Sequence, residues 1–272
     1  MPTKPTTIGL IAGNGVFPQL FAKAASAQGI SVVAVAMRGE TDPAIERFVD
    51  QLTWVKVGQL GKMIKCLKKG GVRQAAMAGG VRKTRLFDGM RPDFTAVKLL
   101  ATCALRRDDS LLRAVAAEYE KNGIEIIDST LYMPDSLAPP GLLTNSKPDA
   151  SMDQDLQYGL SVAREIGKLD IGQTVIVREG AVIALEAIEG TDACIKRAGV
   201  LMGNQGGVMV KVAKPNQDMR FDVPAIGVQT IHSLNQAGIG ALGVEAGRTL
   251  ILEPQAVIEL ANSLRLTIVG LE

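Results

Sequence analysis

The sequence predicts an α/β protein in two parts, an N-terminal doubly wound parallel sheet followed by a second α/β domain. Three observations carry this. Short apolar, β-branched runs alternate with amphipathic stretches from residue 7 onward, the pattern of strands joined by crossover helices. A glycine-rich turn follows the first strand, where a doubly wound sheet hands its first strand to its first helix. The stretch PDSLAPPGLLTNSKP, residues 134–148, holds four prolines and a glycine and interrupts the alternation.

The elements follow in order. Residues 7–12 form a strand, 17–28 a helix ended by Gly29, and 31–36 a β-branched strand. A short helix over 42–49, a strand over 52–57 and a helix over 62–69 closed by Gly70-Gly71 come next. A strand over 74–78 runs into Gly79-Gly80, and helices over 94–105 and 110–121 precede a strand over 124–127. The proline density of 134–148 forbids a helix or central strand there and marks a linker between domains 1–133 and 149–272. The second domain opens with a helix over 153–168. Strands over 174–178 and 181–187 then turn tightly through Glu179-Gly180. A helix over 192–198, a strand over 208–212, a helix over 229–237, strands over 241–244 and 249–252, a helix over 254–263 and a strand over 266–269 complete it.

Composition excludes several classes. Apolar residues make up 47% and charged residues 21% of 272, the balance of a packed protein. A net charge of +2 without a Lys/Arg block argues against nucleic acid. No apolar run reaches the length of a membrane span, the N-terminus lacks the pattern of a signal peptide, and the cytoplasm is the expected compartment. Three scattered cysteines, Cys66, Cys103 and Cys194, fit a reducing environment. The single histidine, His232, reads as a surface or helix residue, so a Ser-His-Asp triad or a multi-histidine metal centre is ruled out. Any metal must be a hard ion held by oxygen, such as Mg²⁺.

Four motifs carry chemistry. Gly13, Asn14 and Gly15 form the first turn, with N–H groups facing outward beside a helix N-terminus that favours anions. The dinucleotide fingerprint is incomplete: Pro18 holds its third position, and Met37-Arg38 stand where strand two should offer an acid to the ribose of NAD. This weakens a dehydrogenase reading and favours a tight turn alone, or a nucleotide or sugar-phosphate ligand other than NAD. Gly79 and Gly80 are placed beside that turn on the carboxyl edge of the sheet, where open α/β sheets bind ligands, with Arg82, Lys83 and Arg85 close behind. The run EAIEGTD supplies Glu186, Glu189, Thr191 and Asp192; Thr191 or Asp192 can cap the following helix, and the turn can also grip a ligand. Finally, KVAKPNQDMRFDVPAIG, residues 211–227, carries Lys211, Lys214 and Arg220 ahead of Asp222, between Pro215 and Pro224. The bland reading is a polar surface loop. The sharper one is a fixed carboxylate near phosphate-binding cations, ionised and suited to activating water or holding Mg²⁺.

Taken together, I-G-L-I-A-G-N-G-x-x-P, A-G-G-V-x-K, E-A-x-E-G-T-D and K-x-x-K-P-x-Q-D-x-R-x-D-x-P-x-x-G resemble one enzyme family over nearly the whole chain. It is the lipid A pathway UDP-2,3-diacylglucosamine pyrophosphatase of bacteria lacking the metallophosphoesterase form. The resemblance implies a Rossmann-like N-terminal domain and a C-terminal catalytic domain peculiar to the family, with a diacylated product held between them. It implies Mg²⁺-assisted attack of water on the pyrophosphate, releasing UMP and 2,3-diacylglucosamine 1-phosphate. It places the essential aspartate at Asp222, as base, metal ligand or both. The substrate-binding residues expected beside it, Gly13, Asn14, Gly15, Gly79, Gly80, Thr191, Asp192, Lys211, Lys214 and Arg220, rest on the motifs themselves. A lipid substrate makes peripheral contact with the inner membrane surface an expectation, and a homodimer is compatible with it. Two other classes remain open: a non-catalytic nucleotide- or lipid-binding module, and a nucleotide-dependent oxidoreductase or transferase.

Overall fold

A computed structural model describes residues 6–82, 92–103, 108–215 and 217–272. The chain forms two compact units. The first is Met1–Met133 with Asp218–Asp222, and the second is Pro134–Gln217 with Val223–Glu272.

The first unit is built on β1 (Thr7–Ala12), β2 (Ser31–Met37), β3 (Gln51–Val55), β4 (Gln74–Ala78) and β5 (Glu125–Ile126). Their order is β3-β2-β1-β4-β5 and every pairing is parallel, the arrangement of a doubly wound sheet. Alternation along the strands divides the core. Ile8, Leu10, Ala12, Val32 and Ala34 face α1 (Phe17–Ala27) and the 3₁₀ turn Pro43–Phe48. Ile11, Val33, Val35 and Met77 instead pack with α2 (Leu60–Lys69), α3 (Phe94–Cys103) and α4 (Asp108–Lys121). Because both faces are covered, the strands read as nearly continuous apolar runs, which is why they were legible. Parallel strands carry their ligand-facing turns on the carboxyl edge, so the turns after β1, β2 and β4 converge there.

The second unit holds β6 (Gly141–Leu142), β7 (Thr174–Arg178), β8 (Ala181–Leu185), β9 (Val208–Lys211), β11 (Ala241–Glu245) and β13 (Thr267–Leu271) in the order β6-β13-β11-β9-β7-β8. The three central strands β13, β11 and β9 are parallel; β6, β7 and β8 continue the sheet antiparallel. α5 (Ala150–Lys168) covers one face through Leu156, Leu160, Ala163 and Ile166. α6 (Thr191–Met202), α7 (Val228–Gln236) and α8 (Pro254–Ser263) supply the apolar cluster that includes Met209, Leu242 and Ile268. A short parallel pair joins β10 (Ala225–Ile226) to β12 (Leu250–Ile251). The hairpin turn at Glu179-Gly180 has left-handed φ at both residues, 51° and 76°. Its two N–H groups are taken by the buried Asp155 carboxylate at 2.7 Å each, so the turn is fixed from below by α5.

Residues 134–148, read from the sequence as a linker, belong to the fabric of the second unit. Leu142 pairs with Val269 and Gly141 with Gly270, Leu143 N–H donates to Ile268 at 2.9 Å, and Leu137 bridges Leu250. None of the four prolines lies in β6 itself: Pro134 opens a 3₁₀ turn, and Pro139, Pro140 and Pro148 lie outside the strand, so no ladder hydrogen bond is lost.

Candidate active site

The carboxyl edge of the first sheet brings together three turns. Gly13 N–H donates to Ala78 O and Asn14 N–H to Gly80 O, both at 2.8 Å, so the turns after β1 and β4 are stitched backbone to backbone. This approach dictates the residue types. A Cβ on Gly13 would overlap the Gly80 carbonyl oxygen, and one on Gly79, whose φ is +78°, would overlap that of Asn14. Gly13 and Gly79 are therefore demanded by the scaffold. Gly15, Gly79 and Gly80 are exposed and Asn14 half-exposed, so the surface offered to a ligand is that of 14–15 and 79–80.

The third turn supplies a residue that the sequence reading passed over. Gly39, with φ +80°, folds the chain back after β2, so that Glu40 arrives under the glycine turns. Its side chain is 0% exposed, and it accepts from Arg82 N–H at 3.1 Å, from the Asn14 amide at 3.2 Å and from Arg82 Nε at 3.2 Å. Burial alone would raise its pKa. The Arg82 backbone N–H, the Asn14 amide and the Arg82 guanidinium outweigh that and hold the carboxyl below its usual range. Arg82 also donates to Gly39 O at 2.5 Å, and Thr41 Oγ1 donates to Ala12 O at 2.6 Å. One buried carboxylate thus ties the turns after β1, β2 and β4. An acid does follow β2, three residues past its end, but it is buried under the turns and held by Asn14 and Arg82; the R-G-E sequence was its only signal. Lys83 and Arg85 lie outside the described residues.

Asp222 is half-buried and sits in a single helical turn. Phe221 and Asp222 N–H groups donate to Asp218 O at 3.2 and 3.0 Å. Arg220 clasps Asp218 through Nε and Nη2 at 2.9 and 2.8 Å and reaches Glu120 on α4 at 2.8 Å. That fork, foremost through its hydrogen bonds, holds the Asp218 carboxyl below its usual range, and the same bonds raise Arg220. Phe221, next to Asp222, and Val81, next to Gly80, pack against the same apolar cluster. Within the first unit, therefore, the Asp222 turn and the second glycine turn are seated on one face.

In the second unit, the stem leading to that turn is clamped. Glu245 accepts Ala213 N–H at 2.9 Å, Asp170 accepts Lys214 Nζ at 2.8 Å, and Arg248 donates to Lys214 O at 3.3 Å. Lys211 is buried and donates to Thr191 Oγ1 at 3.1 Å. Thr191 and Asp192 do not cap α6, as the sequence suggested. Gly190, with φ +84°, holds that position, which frees the Thr191 hydroxyl to donate to Glu186 at 2.9 Å. Asp192 is exposed, its nearest polar partner Ser233 at 3.5 Å. His232 is exposed on α7. The expected cations are thus not bare: Lys211 meets a hydroxyl, Lys214 a carboxylate, and Arg220 two carboxylates.

Among the described residues, no three His, Cys, Asp or Glu side chains cluster as a metal centre. Mg²⁺ in phosphate chemistry is usually held by one or two carboxylates together with water and substrate phosphate oxygens, so such a cluster is not required of it. Among the described residues no helix is long and apolar enough to cross a membrane.

Comparison with known proteins completes the picture. Residues 7–136 match the LpxI N-terminal domain and residues 139–269 the LpxI C-terminal domain. The Caulobacter vibrioides protein UDP-2,3-diacylglucosamine pyrophosphatase LpxI is 38% identical over 275 residues, covering 97% of each chain. Among solved structures, a Hydrogenobacter thermophilus biotin carboxylase domain is 13% identical over 65% of this chain and 35% of its own, at a TM-score of 0.26. A Staphylococcus aureus N5-carboxyaminoimidazole synthetase is likewise 13% identical, over 72% of this chain and 44% of its own, at 0.25. Likeness at that level supports no argument about this protein.

Proposed function

The chain belongs to the LpxI family, and from that membership we propose that it hydrolyses the pyrophosphate of UDP-2,3-diacylglucosamine to UMP and 2,3-diacylglucosamine 1-phosphate in lipid A biosynthesis. The observation that carries the proposal is the relative 38% identical over 97% of both chains, a UDP-2,3-diacylglucosamine pyrophosphatase.

The geometry supports roles for particular residues. Asp222 is the carboxylate that takes the proton of the attacking water as its oxygen bonds to phosphorus and the bridging P–O bond breaks. Its turn is pre-formed by the Arg220–Asp218 fork and by Phe221, so little ordering is left to the reaction. Arg220 serves that turn and is not a first contact for phosphate. The exposed faces of Asn14, Gly15, Gly79 and Gly80 offer backbone groups at a helix N-terminus to the ligand. In the second unit, Lys211 supplies a buried positive charge for a phosphate. Mg²⁺, when bound, neutralises charge on the diphosphate oxygens. The acyl chains of such a substrate support peripheral contact with a membrane surface, the inner face of the inner membrane being the one expected.

Phosphorus NMR of the protein with UDP-2,3-diacylglucosamine and Mg²⁺ tests the proposal. Two phosphomonoester signals should replace the coupled diphosphate pair. A diphosphate that persists at enzyme concentrations sufficient to bind it overturns hydrolysis and leaves a binding module.

A further inference from the structure

The second unit contains a buried carboxylate that the reading above does not use. Glu186 follows β8 and is 7% exposed. Its Oε1 accepts the Thr191 hydroxyl at 2.9 Å, while its Oε2 is buried with no hydrogen-bond partner among the described residues. The residue is pinned at the backbone: its N–H donates to Thr174 O at 2.9 Å, and Gly172 passes so near that a Cβ there would overlap the Glu186 carbonyl oxygen. A half-satisfied buried carboxylate is unfavourable in a core and is kept where it serves another group. The group on the page is Lys211. Because Thr191 gives its proton to Glu186, its lone pair faces outward and accepts from Lys211 Nζ at 3.1 Å. Lys211 is itself only 7% exposed, and a buried ammonium needs a fixed negative charge nearby. The order Lys211 to Thr191 to Glu186 delivers one through a hydroxyl whose direction is set.

We propose that Glu186 is a positioning residue of the reaction, which through Thr191 holds the Lys211 ammonium charged and aimed at a phosphate of the substrate. This rests on the proposed role of Lys211 in substrate binding, and the experiment separates the two. Steady-state kinetics are measured for Glu186→Gln, Thr191→Val, Thr191→Ser, Lys211→Ala and the double variant Glu186→Gln/Lys211→Ala, with folding followed by circular dichroism. Glu186→Gln and Thr191→Val should each raise KM about tenfold with a smaller change in kcat, the signature of lost substrate binding. Thr191→Ser, which restores the hydroxyl, should recover most of the loss seen in Thr191→Val. The double variant should be no worse than Lys211→Ala alone, because Glu186 acts only through Lys211. An impaired Lys211→Ala beside a normal Glu186→Gln overturns the positioning role and spares that of Lys211. Losses that add in the double variant overturn it too. Wild-type kinetics for Lys211→Ala remove Lys211 from substrate binding and the proposal with it. Should Glu186→Gln fail to fold, the Thr191→Val and Thr191→Ser pair decides alone: no recovery by serine overturns the relay.

Discussion

Replacing Glu40 by glutamine is the sharpest probe of the sheet edge. Among the described residues the carboxylate takes three donors at 3.1 to 3.2 Å with its side chain wholly buried. Glutamine keeps one oxygen but turns an NH₂ group towards donors that need an acceptor. A hydrogen bond to a charged group is worth about 1.5–3 kcal/mol, and an orphaned buried donor loses about 1–3 kcal/mol. The Arg82 side chain is 59% exposed, so its ion pair is screened and adds little. The substitution should therefore cost about 2 kcal/mol in the first unit, the lower part of the range for one lost charged bond. Trp54, the single tryptophan, lies in β3 and reports on that unit by fluorescence during urea unfolding.

The same site has an acid signature. The Glu40 carboxyl titrates below its ordinary value of 4.5 in the folded chain, so the unfolded chain binds its proton first as pH falls. Its contribution is fully present above pH 4.5 and is lost as pH drops through the lower folded value. Glu40→Gln should lack that part of the acid slope. A loss under about 0.5 kcal/mol, the scale of an ordinary surface change, together with an unchanged slope, refutes the three-turn tie.

Other outcomes are expected. Asp222→Asn and Asp222→Ala should fold, bind substrate and lose on the order of 10²–10⁴ in kcat, the usual effect of removing a general base; activity within a few-fold of wild type removes Asp222 from the mechanism. Lys214→Ala and Asp170→Ala should lower kcat/KM to similar degrees with no further loss in the double variant, since each clamps the loop through the other at 2.8 Å; a Lys214→Ala defect well beyond that of Asp170→Ala returns Lys214 to direct phosphate binding. Gly80→Ala should fold, because its new methyl meets only the Asn14 side chain, at 3.5 Å. It should nevertheless weaken substrate binding, read by calorimetry, and unchanged affinity shows that the turn does not face the ligand.

What the sequence disclosed follows from locality. The strands of the first unit were legible because parallel strands buried on both sides are apolar throughout, and the turn at Glu179-Gly180 because a glycine between two apolar runs suits left-handed backbone. Glu40 was missed because one left-handed glycine moved it three residues past the expected place. The partners of the cations were invisible: Asp170 lies 44 residues from Lys214, and Glu120 lies 100 from Arg220. The cap of α6 was misassigned because Gly190 holds the cap position, and the Thr191 hydroxyl donates to Glu186 instead of accepting from the helix's N–H groups. The prolines of 134–148 marked a real break in regular structure, but proline density cannot distinguish a free linker from an edge strand.

The positive residues ahead of Asp222 look in sequence like a phosphate grip, yet Lys214 and Arg220 are each held by carboxylates. Arg220 could turn to a phosphate only by leaving Asp218 and Glu120, two carboxylates that would lose the guanidinium they share. Lys214 could do so only by abandoning Asp170, across a pair in which both side chains are mostly shielded, 21% and 27% exposed. Each release would also loosen the segment that presents Asp222, since the Asp218 carboxylate braces Arg220 while its carbonyl accepts the Asp222 N–H. A catalyst that gained phosphate affinity by unpinning its own base would lose in orientation what it gained in charge. Lys214 and Arg220, each held by carboxylates, are on this reading scaffold for one carboxylate, and Lys211, which donates to the Thr191 hydroxyl, stays the cation proposed for the substrate.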